Sequence, residues 1–122
     1  MYHYLVLHFL ILILSINTFA EEEVLYCVEE EKVGFQPEEE YRQTNFTPKR
    51  FTAKVDFVNE SFYAEDIYFK FGVECKTAFA QSLDCRNTYG TFKLLKNKLK
   101  FVRTSTYVPD SVFIAHGYCE SF

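Results

Sequence analysis

Apolar and polar residues alternate with a period of two along most of this chain. Phe51, Ala53, Val55 and Phe57 are interleaved with Thr52, Lys54 and Asp56, the pattern of a strand with one buried face. Asn59-Glu60-Ser61 reads as a turn. Residues 62–71 resume the extended pattern with Ile67, Phe69 and Phe71 on one face. Their phase slips near Glu65-Asp66, which predicts a bulge or turn there. Segments 73–77 and 83–87 flank Ala80-Gln81-Ser82 as one hairpin, and 91–94 and 99–103 flank Lys96-Asn97-Lys98 as a second. Pro109-Asp110 predicts a turn, 112–119 a final strand, and 24–28 a first one. No stretch of ten or more residues carries the 3.6-residue helical period. The pattern predicts an all-β fold, a small antiparallel barrel or sandwich.

Composition agrees. Aromatic residues make up 19% of the chain without a single Trp. Phe and Tyr suit strands and supply large buried areas, as a small barrel requires. Gly90, directly after Tyr89, predicts a bulge or a close backbone approach.

The N-terminus carries a different signal. Residues 5–14 are apolar except for His8, and Thr18-Phe19-Ala20 places small residues at −3 and −1 of a cleavage after Ala20. A short apolar core before a small-x-small site predicts a cleaved export signal at 1–20, although Met1-Tyr2-His3-Tyr4 lacks the usual Lys or Arg. The run is well short of the roughly 20 residues that span a bilayer, so the mature form is expected not to cross a membrane. Residues 21–122 are then one β-rich extracytoplasmic domain, small enough that cross-links would help its core.

All four cysteines lie in that domain: Cys27, Cys75, Cys85 and Cys119. An even count behind an export signal predicts two disulfides, and no close C-x₂₋₄-C pair suggests zinc instead. Of three pairings, Cys75–Cys85 across the hairpin with Cys27–Cys119 between the first and last strands is expected. In the chain-entropy account, the 11-residue ring contributes about 2.8 kcal/mol and the 93-residue ring about 4.6 kcal/mol.

Charge is unevenly placed. Residues 21–40 hold nine glutamates in three triplets against Lys32 alone, whereas 41–122 hold twelve Lys and Arg against eight Asp and Glu. The triplets read as solvated ends and loop around the first strand. Contiguous carboxylates lack the alternating spacing of a calcium loop.

Candidate chemistry is sparse. The predicted mature chain has one histidine, His116. Paired cysteines leave no thiolate for a Cys–His dyad, and no G-x-S-x-G is present. No cofactor motif stands out, and the inventory points away from an enzyme. Lys93, Lys96, Lys98, Lys100 and Arg103 cluster with Phe92 and Phe101, which would suit an acidic polymer. Alternating lysines are also the ordinary solvent face of a hairpin, and the net charge of −4 weighs against nucleic acid as partner. The loops at 34–47 and 105–111 offer Tyr41, Phe46 and Tyr107 as contact anchors for a protein partner. Asn45-Phe46-Thr47 and Asn59-Glu60-Ser61 match the N-glycosylation triplet.

The predicted mature chain resembles small uncharacterised exported proteins of bacteria and their phages. The shared elements are Tyr26-Cys27, Gly34-Phe35, Cys75, Leu83-x-Cys85, Tyr89-Gly90 and His116-Gly117-Tyr118-Cys119. The resemblance implies a periplasmic or secreted setting and brings no activity with it. Lysozyme-inhibitor domains are similar in size, disulfide use and barrel-like pattern, but their inhibitory motif is absent here, so that similarity is of fold alone. The expected function is a non-enzymatic secreted or periplasmic binding or envelope-associated protein. The alternative is a small extracytoplasmic hydrolase using carboxylates and His116 in a cleft.

Overall fold

Each alternating segment pairs with its neighbours in the chain, and the result is one antiparallel sheet. The computed structural model describes residues 22–106 and 111–121, apart from the Ala80 side chain. The expected leader at 1–20, Tyr107 and the Pro109-Asp110 turn lie outside the described residues. Among those described, the strands are β1 (Glu22–Phe35), β2 (Gln43–Asn45), β3 (Arg50–Asp56), β4 (Ser61–Tyr63), β5 (Glu74–Ala78), β6 (Ser82–Asn87), β7 (Gly90–Leu95), β8 (Lys100–Ser105) and β9 (Val112–Ser121). Short 3₁₀ turns occupy Pro37–Glu39, Glu65–Ile67 and Phe79–Gln81. The strand order is β4-β3-β1-β9-β8-β7-β6-β5, with β2 on the second half of β1.

This order is an up-and-down meander that turns back on itself through the β1–β9 pair. Its two ends, β4 and β5, lie against each other, so the sheet is a nearly closed barrel. Glu60, in the β3–β4 turn, bridges the seam: its Oε2 accepts a 2.5 Å hydrogen bond from the Thr77 N–H of β5. Closure of this kind protects edges that would otherwise pair with other chains.

The inward positions fill the interior. Leu25 and Cys27 of β1, Phe51, Ala53 and Val55 of β3, Leu83 and Cys85 of β6, Phe92 and Leu94 of β7 and Phe101 of β8 are all buried. Phe92 is central. Its ring stacks on Phe62 at 4.2 Å and on Phe101 at 5.1 Å, and meets Phe51 edge-on at 6.0 Å. Each such pair adds about 0.5–1.5 kcal/mol beyond area burial.

Both disulfides form as the hairpin and terminal-strand argument expects. Cys75 sits directly opposite Cys85 across β5–β6, and Cys27 opposite Cys119 across β1–β9. No cysteine is free, and no helix among the described residues is long and apolar enough to cross a membrane.

Three expectations need correction. The strand expected over 62–71 survives only at Ser61–Tyr63. At the phase slip the chain makes the Glu65–Ile67 turn and leaves it with Tyr68 in the left-handed region, at φ 63°. Ile67 and Phe69 still reach the core, but the turn rotates Phe71 off their face and leaves it 78% exposed. The loop expected over 34–47 holds β2 and a 3₁₀ turn instead of being irregular throughout. The first strand does not stop at Val28 but runs to Phe35, because β9 offers a partner along its whole length. The middle glutamate triplet therefore lies inside a strand, and Glu29 is buried.

Candidate functional site

The long β1 changes phase halfway. Leu25, Cys27 and Glu29 face inward, and the register against β9 then shifts between Glu29 and Glu31, leaving Glu30 as an extra residue. A bulge of this kind re-aims everything after it. Lys32 and Gly34 consequently take the inward face, while Glu31 and Val33 turn outward. Opposite the bulge, the neighbouring strand line breaks between β2 and β3. There the Glu29 N–H donates to the Lys49 carbonyl at 2.9 Å and the Phe46 N–H to the Lys32 carbonyl at 2.8 Å. The break lets Phe46 and Lys49 converge on the same end of the barrel.

From β8, the alternation that buries Phe101 also buries Arg103. Its Nη2 donates a 3.0 Å hydrogen bond to Glu29 Oε1, with the two side chains 7% and 0% exposed. Glu29 Oε2 and Arg103 Nε have no hydrogen-bond partner among the described residues. The guanidinium also lies 4.8 Å from the Phe113 ring, and the Lys32 ammonium lies 4.1 Å from the same ring on its way to Phe46 at 5.9 Å. Two cations thus share one aromatic ring beside a single buried carboxylate. Burial holds the Lys32 ammonium below the ordinary lysine value; Glu29 opposes that shift, and Arg103 and Lys49 add to it.

Of these groups, Lys32, Arg103 and Phe113 form the floor of a cavity of about 540 Å³ at the barrel mouth. Phe69, Ile67, Tyr68 and Tyr89 supply apolar wall, with Ser105 and Ser111 opposite. Tyr68 and Tyr89 pack ring to ring at 5.7 Å. At the rim stand Lys49, Glu38 and Asp66; the Lys49 ammonium donates to the Asp66 carbonyl at 2.6 Å. Backbone crowding keeps three buried positions, Gly34, Gly90 and Gly117, free of side chains. A Cβ at Gly117 would meet the Val28 carbonyl oxygen, and one at Gly90 the Thr104 carbonyl oxygen. The close approach expected at Gly90 is therefore real. The cavity has the size of a small-ligand site, and its lining mixes charged and hydroxyl groups with aromatic rings.

The sequence-derived candidates fall elsewhere. Phe46 is half-buried, its ring 5.8 Å from Phe113, and works as wall support. Tyr41 is 51% exposed beyond the Pro37–Glu39 turn. Tyr107 lies outside the described residues. Lys96, Lys98 and Lys100 are exposed, and Lys96 covers the Phe57 ring at 5.7 Å. Their expected aromatic companions, Phe92 and Phe101, are buried in the core, and Arg103 is inside the barrel, so the basic cluster has no stacking surface of its own. His116 stands on the outer face of β9, half exposed, 3.3 Å from Glu31 Oε2. It does not line the cavity, and no cleft joins it to converging acids among the described residues. No three His, Cys, Asp or Glu side chains among them gather as a metal site. The Asn59 side-chain amide donates to Asp56 Oδ2 at 2.7 Å, while Asn45 is exposed on β2.

Glu29, Lys32, Arg103 and Phe113 escaped the sequence reading. A signal existed: Glu29 continues the phase of Leu25 and Cys27, and Arg103 that of Phe101, so two opposite charges stood at inward positions of predicted strands. The bulge that turns Lys32 inward had no such mark. No family model, no curated protein and no solved structure matches the chain.

Proposed function

We propose that the mature chain is a non-enzymatic extracytoplasmic binding domain, secreted or periplasmic, whose recognition site is the cavity at the barrel mouth. The observation that carries this reading is the cavity of about 540 Å³ itself, with Lys32 and the largely buried Arg103 among its lining. Holding charged side chains away from water costs stability, and such costs persist where a ligand makes use of them. The two disulfides support an oxidising compartment, as the leader-like N-terminus does. The hydrolase alternative gains nothing from the geometry: His116 faces outward, and the one buried carboxylate near the cavity is committed to Arg103.

The test is a screen of ¹⁵N-labelled, oxidised protein against a library of small organic compounds by amide chemical shift. Binders should perturb Lys32, Arg103, Ser105 and Phe113 together. Hits that move only the Lys96–Lys100 turn, or no hits at all, would turn the proposal down.

A further inference from the structure

We propose that the cavity selects a monoanionic amphiphile, one carboxylate or sulfonate head on an apolar body, bound head-down onto Lys32 and Arg103. This inference rests on the cavity being the recognition site. Three observations on different elements carry it. On the floor, Arg103 of β8 pairs with Glu29, and the half-buried Lys32 of β1 interacts with that same carboxylate, so one positive charge is in excess there. Above it, Phe113, Tyr68 and Tyr89 offer ring surface that a small inorganic anion would leave unused, over the nearly buried Phe69 and Ile67. At the rim, Glu38 and Asp66 stand with Lys49, whose ammonium is engaged by the Asp66 carbonyl. The rim carries two carboxylates against one ammonium, so a second negative charge at the far end of a ligand would meet a net negative charge there. The charge order from floor to rim, positive then negative, therefore favours one anionic group at the deep end and disfavours a dianion of the same length.

Arg103 contributes through the charge of its guanidinium, which belongs to the cavity lining. Lys32 contributes through charge, held over the Phe113 face at 4.1 Å. Its desolvation is the condition in which an arriving anion gains most.

The experiment uses the full oxidised protein and two fluorescent probes of similar shape, the monoanion 8-anilino-1-naphthalenesulfonate and the neutral N-phenyl-1-naphthylamine. Decanoate, decan-1-ol and decanedioate then serve as competitors. The proposal expects the anionic probe to bind, and decanoate to displace it at concentrations about tenfold lower than either decan-1-ol or decanedioate, the ratio one charge-assisted hydrogen bond supports. Lys32→Met should abolish most of that preference, bringing decanoate and decan-1-ol to similar displacing concentrations. Arg103 is not the residue to replace, because its loss would orphan Glu29 and endanger the fold. If both probes bind equally and Lys32→Met changes nothing, the charge selection is wrong and the cavity remains a binding site. If neither probe binds a protein whose amide spectrum is folded, the cavity reading itself fails.

Discussion

Arg103 and Glu29, 74 positions apart in sequence, meet at 3.0 Å inside the barrel and are the only buried ion pair among the described residues. The contact ties β8 to β1 across β9, at the level where the aromatic core ends and the cavity begins. Removing one partner leaves an uncompensated buried charge, which costs about 3–5 kcal/mol. Glu29→Leu should therefore lower the urea midpoint sharply, and adding Arg103→Met should restore most of the loss. A single Glu29→Leu variant as stable as the parent would show that the pair does not hold the barrel together.

The two disulfides should contribute unequally. Cys27–Cys119 closes nearly the whole domain, whereas Cys75–Cys85 closes one hairpin. Replacing both cysteines of the first by Ala is expected to cost about 4.6 kcal/mol and of the second about 2.8 kcal/mol, if chain entropy dominates. Equilibrium unfolding of the two double variants measures the order. A larger loss on removing Cys75–Cys85 would mean that native-state contacts, not loop entropy, set their worth.

Much of the fold was legible in the chain, and particular residues show why. β3 reads directly, since Phe51, Ala53 and Val55 alternate with polar residues and pack on one face. Cys75 and Cys85 bracket a hairpin whose register places them opposite each other. The site was far less legible. Lys32 turns inward because one residue of β1 is extra relative to β9, and that mismatch belongs to the pair of strands, not to either sequence segment. Glu29 opens a glutamate triplet whose other two members are exposed, so composition masked the one of the three that is buried. Arg103 looked like the end of a basic surface cluster. Only its phase relative to Phe101 placed it inside.

Asp56 gives a prediction with acid. Its Oδ1 accepts from the Val58 N–H at 3.0 Å and the Asn59 N–H at 2.9 Å, and its Oδ2 from the Asn59 amide at 2.7 Å. The Asn59 backbone donor does most to hold the carboxyl below its ordinary value, and the Asn59 side chain and Val58 add to it against the opposing effect of burial. A carboxyl depressed in the folded state contributes stability above its unfolded value, about 3.9, and loses it as pH falls through the folded one. Asp56→Ala should lower the melting temperature by several degrees at neutral pH, with the gap to the parent closing as both are acidified below about pH 4. A gap that stays constant to low pH would assign the effect to the turn's shape and not to the ionised carboxylate.

Lys32 is shifted in the same direction, but here the charged form is the one the fold disfavours. Its ammonium titrates below the ordinary lysine value because burial penalises the charge, so between that lowered value and about 10.4 the unfolded chain holds a proton that the folded chain releases. Stability contributed by this position therefore rises with pH through that window and is lowest where Lys32 is charged. Lys32→Met keeps the apolar stem, places a thioether against Phe113 in place of the cation, and removes the desolvation cost. At neutral pH the variant should unfold at a urea concentration equal to or above the parent's, with a gain of at most about 1 kcal/mol because the half-exposed ammonium is screened and its attraction to Phe113 is also lost. The gain should shrink towards pH 10 as the parent sheds the charge. A residue whose removal leaves the barrel no weaker, yet which stands charged and half-buried on a cavity floor, is held there for something other than the fold. A variant distinctly less stable than the parent at neutral pH would overturn that, making Lys32 a structural partner of Phe113 and Glu29.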